Sequence, residues 1–169
     1  MLTPVGTTGA MQRSYDVDQC GNNISVFSVA LNQHFKWGIL NWENEIVWQK
    51  STNETVLDLP TLSLYTNLFL RFRIAKVLRM EIGSDLRFWT NYYAADYSPS
   101  LNQYTVQDAD NRIKVGNHPI IGVYVNAQLK RVRFYVSAHH LNAGSHYGFR
   151  GPHYPINPMN IHFGLSWNF

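Results

Sequence analysis

Histidines that are close together in the C-terminal part of the chain are the first residues whose type could do chemistry: His139, His140, His146 and His153. Histidine is the commonest metal ligand in proteins. His139 and His140 are adjacent in an alternating segment, so on a strand they point to opposite faces and do not readily bind one ion. The other two belong to a long connection. We therefore expect neither a metal site nor a cofactor.

A second group, Glu81, Asp85 and Arg87, has the residue types of general acid–base catalysis. Carboxylates that alternate with arginine along one strand face more often form ion pairs. No serine, histidine and carboxylate stand in a recognisable nucleophile setting. Cys20 is the single cysteine, which excludes a disulfide framework among these residues. We expect no enzyme activity.

The elements that position these residues are strands. Successive side chains of a strand point to opposite faces, so a segment in which apolar and polar residues alternate has one face of each kind. In the clearest segment Leu78, Met80 and Ile82 alternate with Arg79 and Glu81, a mixture that no helix would sort into two faces. The sequence predicts seven such strands, at 24–35, 39–49, 62–73, 78–88, 121–129, 132–139 and 159–169, with 1–23 irregular or holding a weak first strand at 11–17.

Composition and strand length favour a membrane barrel over a soluble sheet. Hydrophobic residues make up 45% and charged residues 15%, against about 25% charged in typical soluble domains. No apolar run approaches the roughly 20 residues of a transmembrane helix, whereas the strands are long enough for a tilted span. Short connections alternate with long ones, and the tryptophans that stand near strand ends suit an aromatic girdle: Trp37, Trp42, Trp48, Trp89 and Trp167. The chain is therefore predicted to be a single all-β unit, 1–169, folded as an antiparallel transmembrane β-barrel.

The positive charges collect at the end where the connections are short. Eight Lys and Arg residues are placed there, in the turns or just beyond them: Lys36, Arg71, Arg73, Lys76, Arg79, Lys130, Arg131 and Arg133. Most carboxylates fall in the long loops. Two interpretations stand, a solvated rim or a basic ring that biases the lumen toward anions. The net charge is only +3 and the charged residues are spread along the sequence, which gives little support to a nucleic-acid partner.

The polar faces of the strands supply the candidate channel lining. Because that face is expected to be wet, an arginine in place of Gly83 should be tolerated, whereas one at Met80, Ile82 or Leu86 should not. The predicted lining residues are Tyr65, Asn67, Arg71, Arg73, Arg79, Glu81, Asp85, Arg87, Tyr124, Asn126, Gln128, Arg133, Tyr135 and His162.

Several stretches resemble known proteins. The run 159–169, which ends in Phe169, is similar to the C-terminal insertion signal of outer-membrane barrels. The stretches 92–104, 116–131 and 152–155 resemble the Bacteroidota-type putative porin family. Members of that family are longer, so the resemblance implies the C-terminal portion of a larger barrel, with seven to eight strands here. The N-terminus has no signal-peptide pattern; because an outer-membrane protein must be exported, we expect a mature or truncated chain and favour truncation.

The resemblance also implies a location and partners. The chain is expected in the outer membrane, in contact with lipid and lipopolysaccharide. The resemblance also allows a homo-oligomer. Assembly machinery would read Phe163, Leu165, Trp167 and Phe169, so Phe169→Ser should lower the yield in the membrane. Two functions remain open: a porin-like channel for passive diffusion of small hydrophilic solutes, or a structural or binding barrel with a plugged lumen whose long loops serve adhesion or assembly.

Overall fold

The computed structural model describes residues 2–5, 14–17, 20–144 and 148–168. These residues form an antiparallel all-β structure with one short 3-10 helix, Ala109–Asn111. They include no helix that is long and apolar enough to cross a membrane. The strands are β1 (Leu2–Val5), β2 (Ser14–Val17), β3 (Val26–Trp37), β4 (Leu40–Ser51), β5 (Leu62–Ile74), β6 (Leu78–Trp89), β7 (Asp96–Ser98), β8 (Gln103–Thr105), β9 (Ile120–Leu129), β10 (Val132–His139), β11 (Phe149–Gly151), β12 (Tyr154–Pro155) and β13 (Asn160–Trp167).

Seven of the strands make one sheet, in the order β3-β4-β5-β6-β9-β10-β13. These are the seven strands that the alternation predicted, and every neighbouring pair is antiparallel. The sheet is open in the described part of the chain, because β3 and β13 each have one neighbour there. The antiparallel all-β prediction is therefore confirmed, while closure into a barrel is not seen.

The N-terminal strands are separate from this sheet. The sequence placed a weak strand at 11–17 as a possible eighth strand of the barrel. Ser14–Val17 is indeed extended, but it pairs with Leu2–Val5 in a sheet of its own; residues 11–13 lie outside the described part. The prediction of an eighth barrel strand at this position is thus not what the structure shows.

The register keeps the two faces of the sheet distinct. Trp42 of β4 is opposite Leu68 of β5, and one residue further along Glu43 is opposite Asn67. The same parity holds across all seven strands, which defines an apolar face and a polar face. Among the described residues, the buried hydrophobic side chains are those of Phe69 and Val115, and Phe69 has the parity of the polar face. Most of the apolar face is therefore uncovered; Phe163 on β13 is 82% exposed.

The two ends of the sheet differ. At the turn end, three hairpins reverse within a few residues, at 38–39, 75–77 and 130–131. The turns use left-handed backbone, with φ of 60° at Gly38, 50° at Ala75 and 63° at Lys76, as tight hairpins require. Lys36, which the sequence assigned to a turn, is instead a residue of β3. At the loop end the connections are long, at 52–61, 90–119 and 140–159, and contain the small sheets β7-β8 and β11-β12.

The long connections are folded against one another. The Gln107 side chain donates to the carbonyls of Ala94 and Ile113 at 2.7 and 2.9 Å and accepts from the Ile113 N–H at 2.6 Å. The Tyr93 N–H donates to the Asp58 carboxylate, so the loop before β9 is tied to the loop before β5. Burial raises the pKa of Tyr92, and the nearby Asp58 carboxylate adds to the rise.

Candidate functional site

The polar face is the surface on which the predicted lining residues meet. Every one of them, from Tyr65 on β5 to His162 on β13, has the register parity of this face. They form successive cross-strand rows from the turn end upward. Their charges are not mixed evenly: arginines dominate the row nearest the turns, and the carboxylates lie further toward the loop end.

The row nearest the turns, called here the arginine row, crosses five strands as Arg73, Arg79, Gln128, Arg133 and Ser166. Arg73 and Arg79 are directly opposite each other, an arrangement of like charges that destabilises a strand pair. Within the described residues none of the three arginines has a carboxylate at ion-pair distance. The row is thus a concentration of uncompensated positive charge that needs water or an anion.

A groove continues from the arginine row to the turns. Lys76 of the β5–β6 turn and Lys130 of the β9–β10 turn line it together with Arg73 and Arg79. Lysine and arginine have no acceptor atoms, so this end of the polar face offers donors. The geometry agrees with the predicted collection of basic residues at one end.

The next row is neutralised. The Arg71 guanidinium donates to the Glu81 carboxylate through both Nε and Nη2, at 2.9 and 2.8 Å. The same guanidinium lies over the Phe69 ring, 5.0 Å from its centroid. Asn126 donates to the other oxygen of Glu81 at 3.4 Å. Arg71 therefore differs from the other three arginines, because its charge is locally balanced.

The middle of the polar face is packed. Tyr124 extends across the sheet over Gly83, and its hydroxyl donates to Asn67 Oδ1 at 3.1 Å. A Cβ atom built on Gly83 would lie 2.7 Å from the Phe69 Cβ and 2.7 Å from the Tyr124 ring. Phe69 is 3% exposed, although it has the parity of the polar face. The prediction that arginine is tolerated at Gly83 is therefore wrong, because the space above it is filled by Tyr124.

Carboxylates occupy the part of the polar face above this packed layer. Asp85 is 8% exposed, with Arg87 Nε 3.6 Å from its carboxylate and Gly122 opposite it. Glu43 on β4 pairs with Asn67, and His34 Nε2 lies 3.8 Å from it. These contacts are ion pairs or weaker polar contacts.

Sequence reasoning left part of this surface out of its candidate set. Asn41, Glu43 and Glu45 on β4 face the same way as the predicted lining residues of β5. His34 and Lys36 on β3 share that parity. The sequence contains the signal for the two glutamates, because Glu43 and Glu45 alternate with the apolar Trp42 and Ile46 in this strand. With them included, carboxylates lie on β4 and on β6, on either side of β5.

His139 and His140 contact different partners, as expected for adjacent residues that point to opposite sides. The Nε2 atoms of His140 and His118 are 3.1 Å apart in a buried pair, and His140 Nδ1 is 2.5 Å from the Asn157 carbonyl oxygen. His139 instead faces His162, with ring centroids 5.7 Å apart. His146 lies outside the described residues. In the part of the chain that the structure describes, no three histidine, cysteine or carboxylate side chains are grouped as a metal site requires.

The last strand has the predicted alternation. Phe163, Leu165 and Trp167 share the apolar face, and each is more than half exposed, at 82%, 58% and 60%. Phe169 lies outside the described residues. The predicted insertion signal therefore has a continuous exposed apolar edge through Trp167, and its recognition by assembly machinery stays a prediction.

The aromatic residues are divided between the two ends of the apolar face. Phe35, Trp37 and Trp42 form a cluster at the turn end, with ring centroids 5.6 to 6.4 Å apart. Phe27 and Trp48 make an edge-to-face pair near the loop end. Trp89 does not belong to this set: it has the parity of the polar face and lies against Gly116. Its place in the predicted girdle is wrong, because the register turns it to the other side.

Comparison with known proteins agrees with this architecture. The family model described as "Putative porin" matches residues 8–169, which is nearly the whole chain. No curated protein and no solved structure matches significantly. A sheet with one polar and one exposed apolar face, together with this match, assigns the chain to the putative porin family.

Proposed function

We propose that this chain forms part of a transmembrane β-barrel in the outer membrane and that small hydrophilic solutes diffuse passively along its polar face. One observation supports this most: seven antiparallel strands keep one apolar face, and that face is exposed instead of packed. A soluble antiparallel sheet covers its apolar face with another layer. In a bilayer, lipid takes that role.

The two open edges of the sheet must be paired with further strands if the sheet lies in a membrane. In hydrocarbon, unpaired backbone groups on an edge strand have no partner, so a sheet in a membrane must close. β3 and β13 each have a free side in the described part of the chain. We propose that these seven strands are the C-terminal portion of a larger barrel and that further strands complete it.

The polar face is suited to passage of solutes. It provides solvated charges and amides, and its ion pairs do not place a nucleophile beside a base. We therefore propose a channel and not an enzyme. Lipid and lipopolysaccharide would contact the apolar face and the loop end, and assembly machinery would act on β13 during insertion. No role in binding nucleic acid is proposed.

The arginine row supports a modest preference for anions. Three arginines without carboxylate partners among the described residues lie in one cross-strand row, and lysines of two turns line the groove beside it. Like charges at a wet constriction raise the local concentration of anions, and salt screens the effect over about 8 Å. The higher carboxylates Glu43, Glu45 and Asp85 keep the preference from becoming strict selectivity.

The test is the conductance of the full-length protein in planar lipid bilayers. Stepwise insertion of open channels whose current scales with electrolyte concentration is the expected result. Protein that is protected from protease in vesicles yet conducts no current would instead favour a structural or binding barrel with a plugged lumen. If protease in the solution still cleaved the protein at the apolar face, the membrane assignment itself would be overturned.

A further inference from the structure

The arginine row lines a cavity that carries a net positive charge. The cavity has a volume of about 550 Å³ and is open on the polar face, and its charged lining residues are Arg71, Arg73, Arg79, Arg133 and Glu81. With four arginines and one glutamate, its net charge is +3. Because Glu81 is already paired with Arg71 at 2.8 Å, this positive charge belongs to the three arginines of the row.

Arg73 and Arg79 are the two arginines of the row that stand on neighbouring strands. They are directly opposite each other on β5 and β6, and such residues have Cβ atoms about 4.5–5.5 Å apart. Gln128 of β9 is opposite Arg79 on its other side and separates this pair from Arg133. Both arginines line the cavity and also the groove toward the turns, so one bound ion can contact both.

The chemistry of the pair selects the kind of ion. A guanidinium group has N–H donors and no acceptor, and its planar fork binds an oxyanion through two parallel hydrogen bonds. One fork occupies both oxygens of a carboxylate, whereas a tetrahedral oxyanion has enough oxygens for two forks. A doubly charged ion also balances both arginines, while chloride balances one. The pair therefore suits a tetrahedral dianion better than chloride or a carboxylate.

We propose that Arg73 and Arg79 bind a dissolved tetrahedral dianion, the class that contains inorganic phosphate, sulfate and phosphate monoesters. The inference rests on the proposed function and deepens it, because it names the solutes that a path along the polar face would favour. Like charges directly opposite each other destabilise a strand pair. A dianion between the two guanidinium groups removes this repulsion, so binding also stabilises the pairing of β5 with β6.

The surroundings of the pair fit a solute that binds and then leaves. Both arginines are exposed, so water competes for their donors and binding stays weak enough for release, as conduction requires. Lys76 and Lys130 continue the positive surface toward the turn end. The pair has the parity of the polar face, opposite to the apolar face that lipid would cover. A dissolved ion is therefore the occupant, and not a lipid headgroup.

Titration calorimetry with inorganic phosphate tests the site on the full-length protein. The protein is kept in a maltoside detergent, which contains no phosphate, at about pH 8, above the second pKa of phosphate groups. We expect saturable binding of one phosphate per chain, and its loss when Arg73→Gln and Arg79→Gln are combined. Lys50→Gln with Arg150→Gln is the matched control: it removes the same charge from exposed residues outside the cavity and the groove, and binding should not change.

A second double variant separates paired hydrogen bonds from charge. Arg73→Lys with Arg79→Lys keeps both positive charges but removes both forks, and the Kd for phosphate should rise by about tenfold or more, since one charge-assisted hydrogen bond has at least that effect. Succinate, a dianion with two separate carboxylates, should compete with phosphate at least about tenfold more weakly than sulfate does. Unchanged affinity of the lysine variant, or equal competition by succinate, would overturn the tetrahedral oxyanion site.

The outcomes distinguish this inference from the proposed function. If the wild type conducts in planar bilayers but shows no saturable binding of phosphate, the inference fails and the channel stands. If it binds phosphate in detergent but conducts no current, the channel fails and the site stands. Phosphorus analysis identifies the source: lipid phosphorus that co-purifies with the wild type but not with the double glutamine variant at Arg73 and Arg79 would overturn a dissolved ion as the occupant.

Discussion

The middle of the polar face and the arginine row belong to the same strands, yet they are built differently. In the middle, Gly83 leaves room for Tyr124 to cross the sheet, and Phe69 and Asn67 close the layer. In the arginine row, side chains repel one another and have no carboxylate partner in the described residues. The polar face is therefore not uniformly wet. Its middle is packed, whereas the arginines at its turn end have no carboxylate partner among the described residues.

The largest effect on stability is expected next to Gly83 but on the opposite face. With the apolar face in lipid, as proposed, Ile82→Arg would place a charge there and should lower the free energy of unfolding by about 2–4 kcal/mol near mid-bilayer. Guanidinium unfolding of protein inserted in vesicles measures it, with Ile82→Phe as a control that stays apolar. Equal stability of the two variants would mean that this face does not contact lipid.

Gly83→Ala tests the packed middle directly. The added Cβ would lie 2.7 Å from the Phe69 Cβ, and overpacking of this kind costs about 1–3 kcal/mol. Gly21→Ala is the control, because a Cβ built there meets nothing within 4 Å. If the free energy of unfolding fell no further for Gly83→Ala than for Gly21→Ala, the middle would be as open as the sequence suggested.

Tyr124→Phe sharpens the same comparison by keeping the ring and removing one hydrogen bond. The loss of the bond to Asn67 should lower the free energy of unfolding by about 0.5–1.5 kcal/mol. Tyr135→Phe is the control, since no hydrogen bond of its hydroxyl is seen among the described residues although its ring covers Gly164. An equal effect of both changes would show that the Tyr124–Asn67 bond adds nothing to stability.

The arginine row should respond least in stability and most in permeation. Arg73→Glu combined with Arg79→Glu removes a pair of repelling cations, and surface changes of this kind usually stay within about 0.5 kcal/mol. The zero-current potential in a low-salt gradient should shift toward cations. Gln128→Asn, in the same row, is the uncharged control. A potential that does not move would mean that the row does not border the conducting path.

The period of two in the sequence was sufficient to predict which residues share a face. It identified the seven strands and put every predicted lining residue on the polar face, because side-chain direction on a strand depends only on parity. It failed where a residue's surroundings depend on its partner strand. Gly83 looked wet by parity, and only the cross-strand neighbour Tyr124 shows that the space is filled. Trp89 is near a strand end, as a girdle residue is, but its parity places it on the polar face.

What the sequence determined by itself is thus the antiparallel all-β class, the two faces and the collection of basic residues near the short turns. These follow from alternation and from the positions of the connections, both local properties of the chain. Only the tertiary structure decided that three arginines share one row and that His140 meets His118. The reason is that pairing register is a relation between segments distant in sequence, and a shift of one residue would exchange the faces of a whole strand.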